Sequence, residues 1–237
     1  MKILAISDVH AKENQGLYDY LKNNNLDLVI VSGDITNFGP PEFAEDFLNK
    51  ISNFGATAIA IPGNCDTKEV FKKINKSKAI CAHNDIIEHE NLVIYGFGGS
   101  NPTPFDTPFE FDDDVLYDHL KKLFNSQKAL KIGKKEENEE KKFEKLDILL
   151  THAPPYGSEA DIIEDGIHVG SEAVRKIIDE YQPRLNLCGH IHESVAFAML
   201  GNTVIVNPGM LENGGGCLIQ IDEYNNIVAD MVEINRG

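Results

Sequence analysis

Seven polar residues fall at spacings that suit a cluster of metal ligands: Asp8, His10, Asp34, Asn64, His152, His190 and His192. Carboxylates, imidazoles and one amide oxygen, with no thiolate among them, suit manganese, iron, nickel or zinc rather than a soft-metal site. Two such ions held side by side can share a hydroxide, lower its pKa and neutralise the oxygens of a phosphoryl group. The chemistry such a cluster could support is hydrolysis by a metal-activated water. Asp34, Asn64 and His152 are the candidate catalytic residues of the set. Singly, each has a plain explanation. Asp8-Val9-His10 arises easily by chance, a buried histidine is more often satisfied in a core than bound to metal, and Gly63-Asn64-Cys65-Asp66 reads as a turn. Their conjunction, in this order, carries the inference.

The elements that must position them can be read from the apolar pattern. Residues 2–7 form a short apolar run, a buried strand by length. Residues 14–24 place Leu17, Tyr18 and Leu21 at helical spacing. A second strand is expected at 28–32, a helix at 41–54 with Pro41 at its start, and a third strand at 56–61. This β-α-β-α-β series with short connections predicts parallel strands in one sheet. Farther on, 85–90 and 92–97 read as a hairpin, 100–114 as an irregular loop, and 115–126 as a helix. The mixed-sign charge run 131–145 reads as a solvated helix or a surface insertion. A buried strand at 146–150 and a helix at 171–181, capped by Ser171, follow. Strands are then expected at 185–188, 195–200, 203–206, 217–221 and 227–232. The expected organisation is one domain over residues 1–237, α/β in front and richer in antiparallel strands behind.

On this reading each candidate ligand follows a strand, and sites in open α/β sheets form at the carboxyl ends of strands. Five strand ends are therefore expected to deliver ligands to one edge. Gly33, Gly63 and Gly189 each precede a candidate ligand by one residue, which permits a sharp turn and close backbone approach.

A chain of 237 residues can bury a core without disulfides. Its formal net charge of -16 repels nucleic-acid backbone and anionic membranes. Neither a dedicated nucleic-acid role nor a membrane partner is expected. A small phosphorylated substrate remains compatible, because bound metal ions reverse the local field. Cys65, Cys81, Cys188 and Cys217 form no Cys-x-x-Cys pair and suit a reducing compartment. The opening apolar run is too short for a signal peptide, and no stretch approaches the roughly 20 apolar residues of a membrane helix. A soluble, cytoplasmic protein is expected.

Asp8-Val9-His10, Gly33-Asp34, Gly63-Asn64-Cys65-Asp66, Thr151-His152 and Gly189-His190-Ile191-His192 together resemble the five blocks of the calcineurin-like metallophosphoesterases. The finer pattern, with Thr151-His152-Ala153-Pro154-Pro155 and His168-Val169-Gly170-Ser171, is similar to the small bacterial and archaeal phosphodiesterase-like branch. The resemblance implies an α/β fold of four αββα layers, two mixed β-sheets flanked by helices. It implies two divalent metal ions, manganese first, with iron, nickel or zinc as alternatives. One ion would take Asp8, His10, Asp34 and His192. The other would take Asp34, Asn64, His152 and His190, with Asp34 bridging. It implies hydrolysis of a phosphate ester by in-line attack of a metal-bridging hydroxide, without a covalent enzyme intermediate, a phosphodiester being favoured over a phosphomonoester. The alternative is a scaffold of this fold acting by protein binding, as the retromer scaffold subunit does, although a retired site should have lost ligands. A nuclease is a third reading, disfavoured by the acidic balance and the lack of a capping domain.

One position departs from the family pattern. Where the family has a histidine thought to help protonate the leaving group, this chain has Cys65. A thiol with a pKa around 8.5 is a poor substitute for imidazolium near neutrality. The preferred reading is a small buried residue. Either the substrate has a good leaving group, or another residue such as His168 supplies the proton. His168 is otherwise an ordinary loop histidine. Asp66 is expected to orient His152 or a ligand by a hydrogen bond. Loop 100–114 is expected to border the pocket, with Phe105, Phe109 and Phe111 as candidate walls, and Asn207-Pro208-Gly209 to be a structural turn.

Overall fold

A computed structural model of the chain describes residues 1–126, 130–132 and 146–234. Two mixed sheets face each other. The first contains β1 (Lys2–Ile6), β2 (Leu28–Val31), β3 (Thr57–Ala60), β4 (Ile80–Cys81), β12 (Cys217–Ile221) and β13 (Ile227–Met231). The second contains β5 (Asp85–His89), β6 (Leu92–Phe97), β7 (Leu130–Ile132), β8 (Leu146–Thr151), β9 (Leu185–Leu187), β10 (Ala196–Leu200) and β11 (Thr203–Asn207). The strand orders are β13-β12-β1-β2-β3-β4 and β10-β11-β9-β8-β6-β5-β7. β1, β2 and β3 run parallel, as the front-half pattern predicts, and so do β6, β8 and β9.

Alternation along each strand builds the layers. Ile3 and Ala5 of β1 point between the sheets and meet Ile94, Ile148 and Leu187 of the second sheet. Leu4 and Ile6 point the other way, toward Leu17 of α1 (Gln15–Asn23), Phe47 of α2 (Pro41–Ser52) and Val70 of α3 (Lys68–Ile74). Both faces are buried, so the strand reads as a continuous apolar run. On the far side, Leu120 of α4 (Asp113–Phe124) and Val174 and Ile177 of α5 (Glu172–Tyr181) join Leu149 and Ile205 in a third core. The four layers αββα implied by the resemblance are present.

Local capping sets the helix starts. Asn14 accepts from the Leu17 amide at 3.3 Å and donates to the Leu211 carbonyl at 3.0 Å. Ser171 caps α5 through the Val174 amide at 3.2 Å.

Three elements differ from the sequence expectation. α3 and β4 were not expected, because α3 is short with only Val70 and Ile74 buried and β4 spans two residues. β7 occupies the start of the charge run, where it pairs in parallel with β5 at the edge of the second sheet. The rest of that run, 133–145, lies outside the described residues. Among the described residues, no helix is long and apolar enough to cross a membrane.

Candidate metal centre

The ligand-bearing strand ends belong to two facing sheets, which corrects the expectation of one sheet edge. Asp8 and His10 follow β1, Asp34 follows β2 and Asn64 follows β3, all in the first sheet. His152 follows β8, and His190 and His192 follow β9, in the second. Parallel strands turn their carboxyl ends the same way, and the two sheets are packed so that these ends converge.

The loops are held in conformations that regular structure does not use. Asp8, His10, Asp34 and His190 have φ of 55°, 49°, 49° and 71°. Non-glycine residues rarely adopt positive φ, and such strain gathers where surrounding contacts over-determine the backbone. Those contacts are present. The Asp8 amide donates to the Gly33 carbonyl at 3.1 Å and the His10 amide to the Asp34 carbonyl at 2.9 Å, stitching two loops together. A Cβ at Gly63 would overlap the Asp34 carboxylate, and one at Gly189 would overlap Ser7 Oγ and stand 2.6 Å from Asp8 Oδ2. Both glycines are there because side-chain atoms of the opposite loop fill that space.

The predicted side chains come together. Asp8, His10 and His192 each offer a ligand atom within 4.8 Å of the others, as do Asp8, Asp34 and His152. His192 Nε2 lies 3.2 Å from Asp8 Oδ1 and 3.1 Å from His10 Nε2. Asp34 Oδ2 lies 3.4 Å from His152 Nε2 and 3.9 Å from His10 Nε2, so one carboxylate reaches both groups. Asn64 Oδ1 lies 2.9 Å from His152 Nε2. His190 joins neither group as a ligand triplet. Its ring stands 5.1 Å from that of His152, and its amide donates to Asp8 Oδ2 at 3.1 Å.

Hydrogen bonding shows why this donor set fits divalent cations. His152 Nδ1 faces the Ser32 carbonyl at 2.8 Å and must donate to it. In the neutral ring, Nε2 then carries a lone pair aimed at the oxygens of Asn64 and Asp34. The Asn64 Nδ2 group is engaged by Thr107 Oγ1 at 2.9 Å, which fixes Oδ1 toward His152. Three lone-pair donors facing one another need a positive charge among them. His10 Nδ1 is buried with no protein partner, which leaves its ring half satisfied.

The same crowding appears in the ionisation of these groups. Burial alone would depress His152, but Asp34, then Asp8 and the Ser32 carbonyl, outweigh it and lift it to about 9. Burial pushes His190 down to about 4, with His152 adding to the effect. Asp34 is buried, which opposes ionisation, yet His152 and His10 hold it below the usual carboxylate range. The carboxylates are anionic ligands at neutral pH, and the cluster draws in positive charge.

The cluster opens into a cavity of about 590 Å³ that exposes His10, Asp34, Asn64, His190 and His192. Cys65 also lines it, half-buried, which corrects the expectation of a buried packing residue. Burial and Asp34 push its thiol upward. His168 does not line the cavity. Its Nδ1 is held 2.7 Å from the buried Asp161 carboxylate, on the far side of Val169 in sequence. Asp66 does not orient His152. It is fully buried and accepts from the Ile35, Thr36 and Gly63 amides, tying the Asp34 loop to the Asn64 loop. Of the three expected phenylalanine walls, only Phe105 lines the cavity. Phe109 and Phe111 pack with each other and with His83, because a neighbouring aromatic cluster offers them a dry site.

Sequence reasoning missed Ser32, Thr107 and Glu110. Glu110 accepts from the Thr107 amide at 2.9 Å and from Thr103 Oγ1 at 2.6 Å, and also from Thr107 Oγ1. It therefore positions the hydroxyl that positions Asn64. These residues carry no spacing signal, since Ser32 and Thr107 act on ligands distant in sequence and Glu110 acts only through Thr107. Asn207, read as structural, donates to the Ile191 carbonyl at 2.9 Å and so supports the His190–His192 loop.

The calcineurin-like phosphoesterase family model matches residues 1–194, and the chain belongs to that family. It is thus a metallophosphoesterase, a class that hydrolyses phosphoric esters with divalent metal ions. An uncharacterized protein of Methanocaldococcus jannaschii is 37% identical over 212 residues, 88% of each chain. A protein of Xenorhabdus bovienii named "Probable cyclic nucleotide phosphodiesterase" is 24% identical over 233 residues, covering 89% of this chain and 86% of its own. The crystal structure of TT1561 of Thermus thermophilus shares the fold, with a TM-score of 0.71 at 18% identity over 99% of each chain.

Proposed function

We propose that this chain is a binuclear-metal-dependent phosphoesterase acting on a phosphodiester. The observation that carries the binuclear reading is the position of Asp34, whose Oδ2 lies 3.9 Å from the His10 Nε2 and 3.4 Å from the His152 Nε2. Asp8, His10, Asp34 and His192 would hold one ion. Asp34, Asn64, His152 and His190 would hold the other. The oxygen and imidazole set supports manganese first. When bound, the ions supply positive charge to the phosphoryl oxygens and activate a water.

The chain's own residues do the positioning. Ser32 fixes the His152 tautomer, Thr107 fixes the Asn64 amide, and the loop pairing of His10 with Asp34 sets the distance between the two groups. A diester is favoured because, among the described residues, no lysine or arginine lines the cavity, while Asp34 and Glu193 do. A monoester brings one more negative charge than a diester and meets no side-chain cation there. The name of the Xenorhabdus relative points the same way. The acidic net charge of -16 supports a small phosphorylated substrate rather than nucleic acid.

The test is turnover of bis-p-nitrophenyl phosphate against p-nitrophenyl phosphate, with manganese, iron, nickel or zinc titrated in. The diester should be the better substrate. Asp34→Asn should lower kcat/KM by at least about a hundredfold and reduce the bound metal found by elemental analysis. No turnover of either ester with any of the four metals would overturn the reading in favour of a scaffold.

A further inference from the structure

We propose that Phe38 and Phe105 form an aromatic recognition site for the organic group of the substrate, so that the preferred ester carries a planar aromatic moiety on a single phosphoryl group. This rests on the phosphoesterase reading above.

Phe38 is 55% exposed and Phe105 is 81% exposed, and both line the cavity that contains the ligand cluster. Among the described residues, neither ring stacks on another aromatic ring. The contrast with the same loop is informative. Phe109 and Phe111, a few residues beyond Phe105, are packed against each other and His83. A loop able to dock two phenylalanines leaves the third facing the opening.

The backbone that presents each ring is held. Phe38 sits at φ 61°, where a bulky residue is seldom found, and its amide donates to the Cys65 carbonyl at 3.0 Å. The following Gly39 amide donates to Thr36 Oγ1 at 3.2 Å, and Thr36 is bound in turn by the buried Asp66. The Phe105 amide donates to Thr103 Oγ1 at 3.2 Å, and Thr103 donates to Glu110. Glu110 also receives Thr107, which holds Asn64. Each aromatic wall is therefore braced by the carboxylate that braces a ligand loop, Asp66 for one and Glu110 for the other. That coupling ties the backbone under each ring to a ligand loop, so both rings are presented from fixed points beside the ligand cluster.

The remaining lining supports the same occupant. Pro102, Pro104, Ile163, Val169 and Ile191 are apolar, and among the described residues no lysine or arginine lines the cavity. A second phosphoryl group would enter apolar surroundings with no side-chain cation, whereas a flat ring would stack. Aromatic pairing contributes beyond area burial, and a tenfold effect corresponds to about 1.4 kcal/mol.

The experiment compares two diesters with the same activated, ring-free leaving group, thymidine 5′-(hexafluoroisopropyl phosphate) and methyl hexafluoroisopropyl phosphate, on the full chain with manganese, by fluorine NMR of the released alcohol. The ratio of their kcat/KM should be about tenfold or more in favour of the nucleoside. Phe105→Ala and Phe38→Leu should each bring the ratio toward one, the leucine keeping bulk at the strained position. Met199→Ala, exposed on β10 and away from the cavity, should leave the ratio as it was. A wild-type ratio near one, or one unmoved in both phenylalanine variants, overturns the proposal. If neither diester is turned over, the phosphoesterase reading has failed separately. The aromatic site is then decided by calorimetric titration with phenylphosphonate and methylphosphonate. Tighter phenylphosphonate binding that is lost in Phe105→Ala supports it, and equal affinity refutes it.

Discussion

Replacing Asp66 with alanine removes a buried carboxylate that joins two ligand-bearing loops. Oδ2 accepts from the Ile35 amide at 3.0 Å and the Gly63 amide at 2.9 Å. Oδ1 accepts from the Thr36 amide at 2.8 Å and from Thr36 Oγ1 at 2.9 Å. The hydroxyl can rotate to another partner, but three amides are left facing a void. A buried donor left unsatisfied costs about 1–3 kcal/mol, so even with some entry of water a loss of about 4 kcal/mol is expected. Asparagine is the milder test. Turned so that its oxygen serves Ile35 and Gly63, it leaves only the Thr36 amide unsatisfied, for about 1–3 kcal/mol. Urea unfolding followed by far-ultraviolet circular dichroism should rank wild type above Asp66→Asn above Asp66→Ala. Turnover should fall in the same order, because the Asp34 and Asn64 loops lose their common anchor. An alanine variant within about 1 kcal/mol of wild type and fully active would refute this account of the site's construction.

Thr107→Val removes the acceptor that orients the Asn64 amide while leaving the fold's layers untouched. It should lower kcat/KM by about ten- to a hundredfold and weaken manganese binding in calorimetry, with little change in unfolding midpoint. Gly189→Ala should cost at least about 2 kcal/mol, since the new methyl group overlaps Ser7 Oγ; a midpoint unchanged from wild type would contradict the packing described. His83 gives a pH test away from the ligands. Its Nδ1 accepts from the Gly98 amide at 2.9 Å, and burial among aromatic rings lowers it from 6.5 to about 4. Folding therefore favours the neutral ring. That contribution is complete above pH 6.5 and is lost as pH falls from 6.5 toward 4. At pH 5 the loss is about 2 kcal/mol. Wild type should lose about that much more stability than His83→Gln between pH 7 and pH 5, and equal losses would show that His83 is not the group responsible.

The strands that carry ligands were legible because each is a short apolar run closed by a polar residue, and the ligands because their types and order are restrictive. What could not be read was which strands share a sheet. β1 and β8 have the same pattern, Lys2–Ile6 and Leu146–Thr151, yet they belong to different sheets, and only long-range pairing decides that. The braces were invisible for a related reason. Thr107 and Glu110 are ordinary loop residues until the fold brings Asn64, 43 positions away from Thr107, against them. Asp66 stands out in the sequence, but its partners do not. Adjacency to Asn64 suggested an orienting role toward histidine, whereas its oxygens are consumed by backbone amides that no sequence pattern marks.

The same braces explain how the chain accommodates Cys65 at a position where the family resemblance implies histidine. The conformation at Cys65 is set by backbone. Its amide donates to Asp34 Oδ1 at 2.8 Å and its carbonyl accepts from the Phe38 amide at 3.0 Å, while the thiol faces the cavity. The thiol accepts from Asn64 Nδ2 at 3.7 Å and is hydrogen-bonded to Asp34, but these two backbone anchors do not depend on the side chain. Burial and the Asp34 carboxylate keep that thiol protonated and make it a reluctant acid. Departure of the ester oxygen must then rest on the leaving group's own stability. Cys65→His should therefore fold as wild type does and speed hydrolysis of an alkyl diester, whose leaving group needs a proton, by about a hundredfold. The p-nitrophenyl diester, which needs none, should gain little. Rates for leaving groups of graded pKa would give a steep dependence in wild type and a shallow one in the variant. Parallel lines would mean that position 65 takes no part in protonating the leaving group.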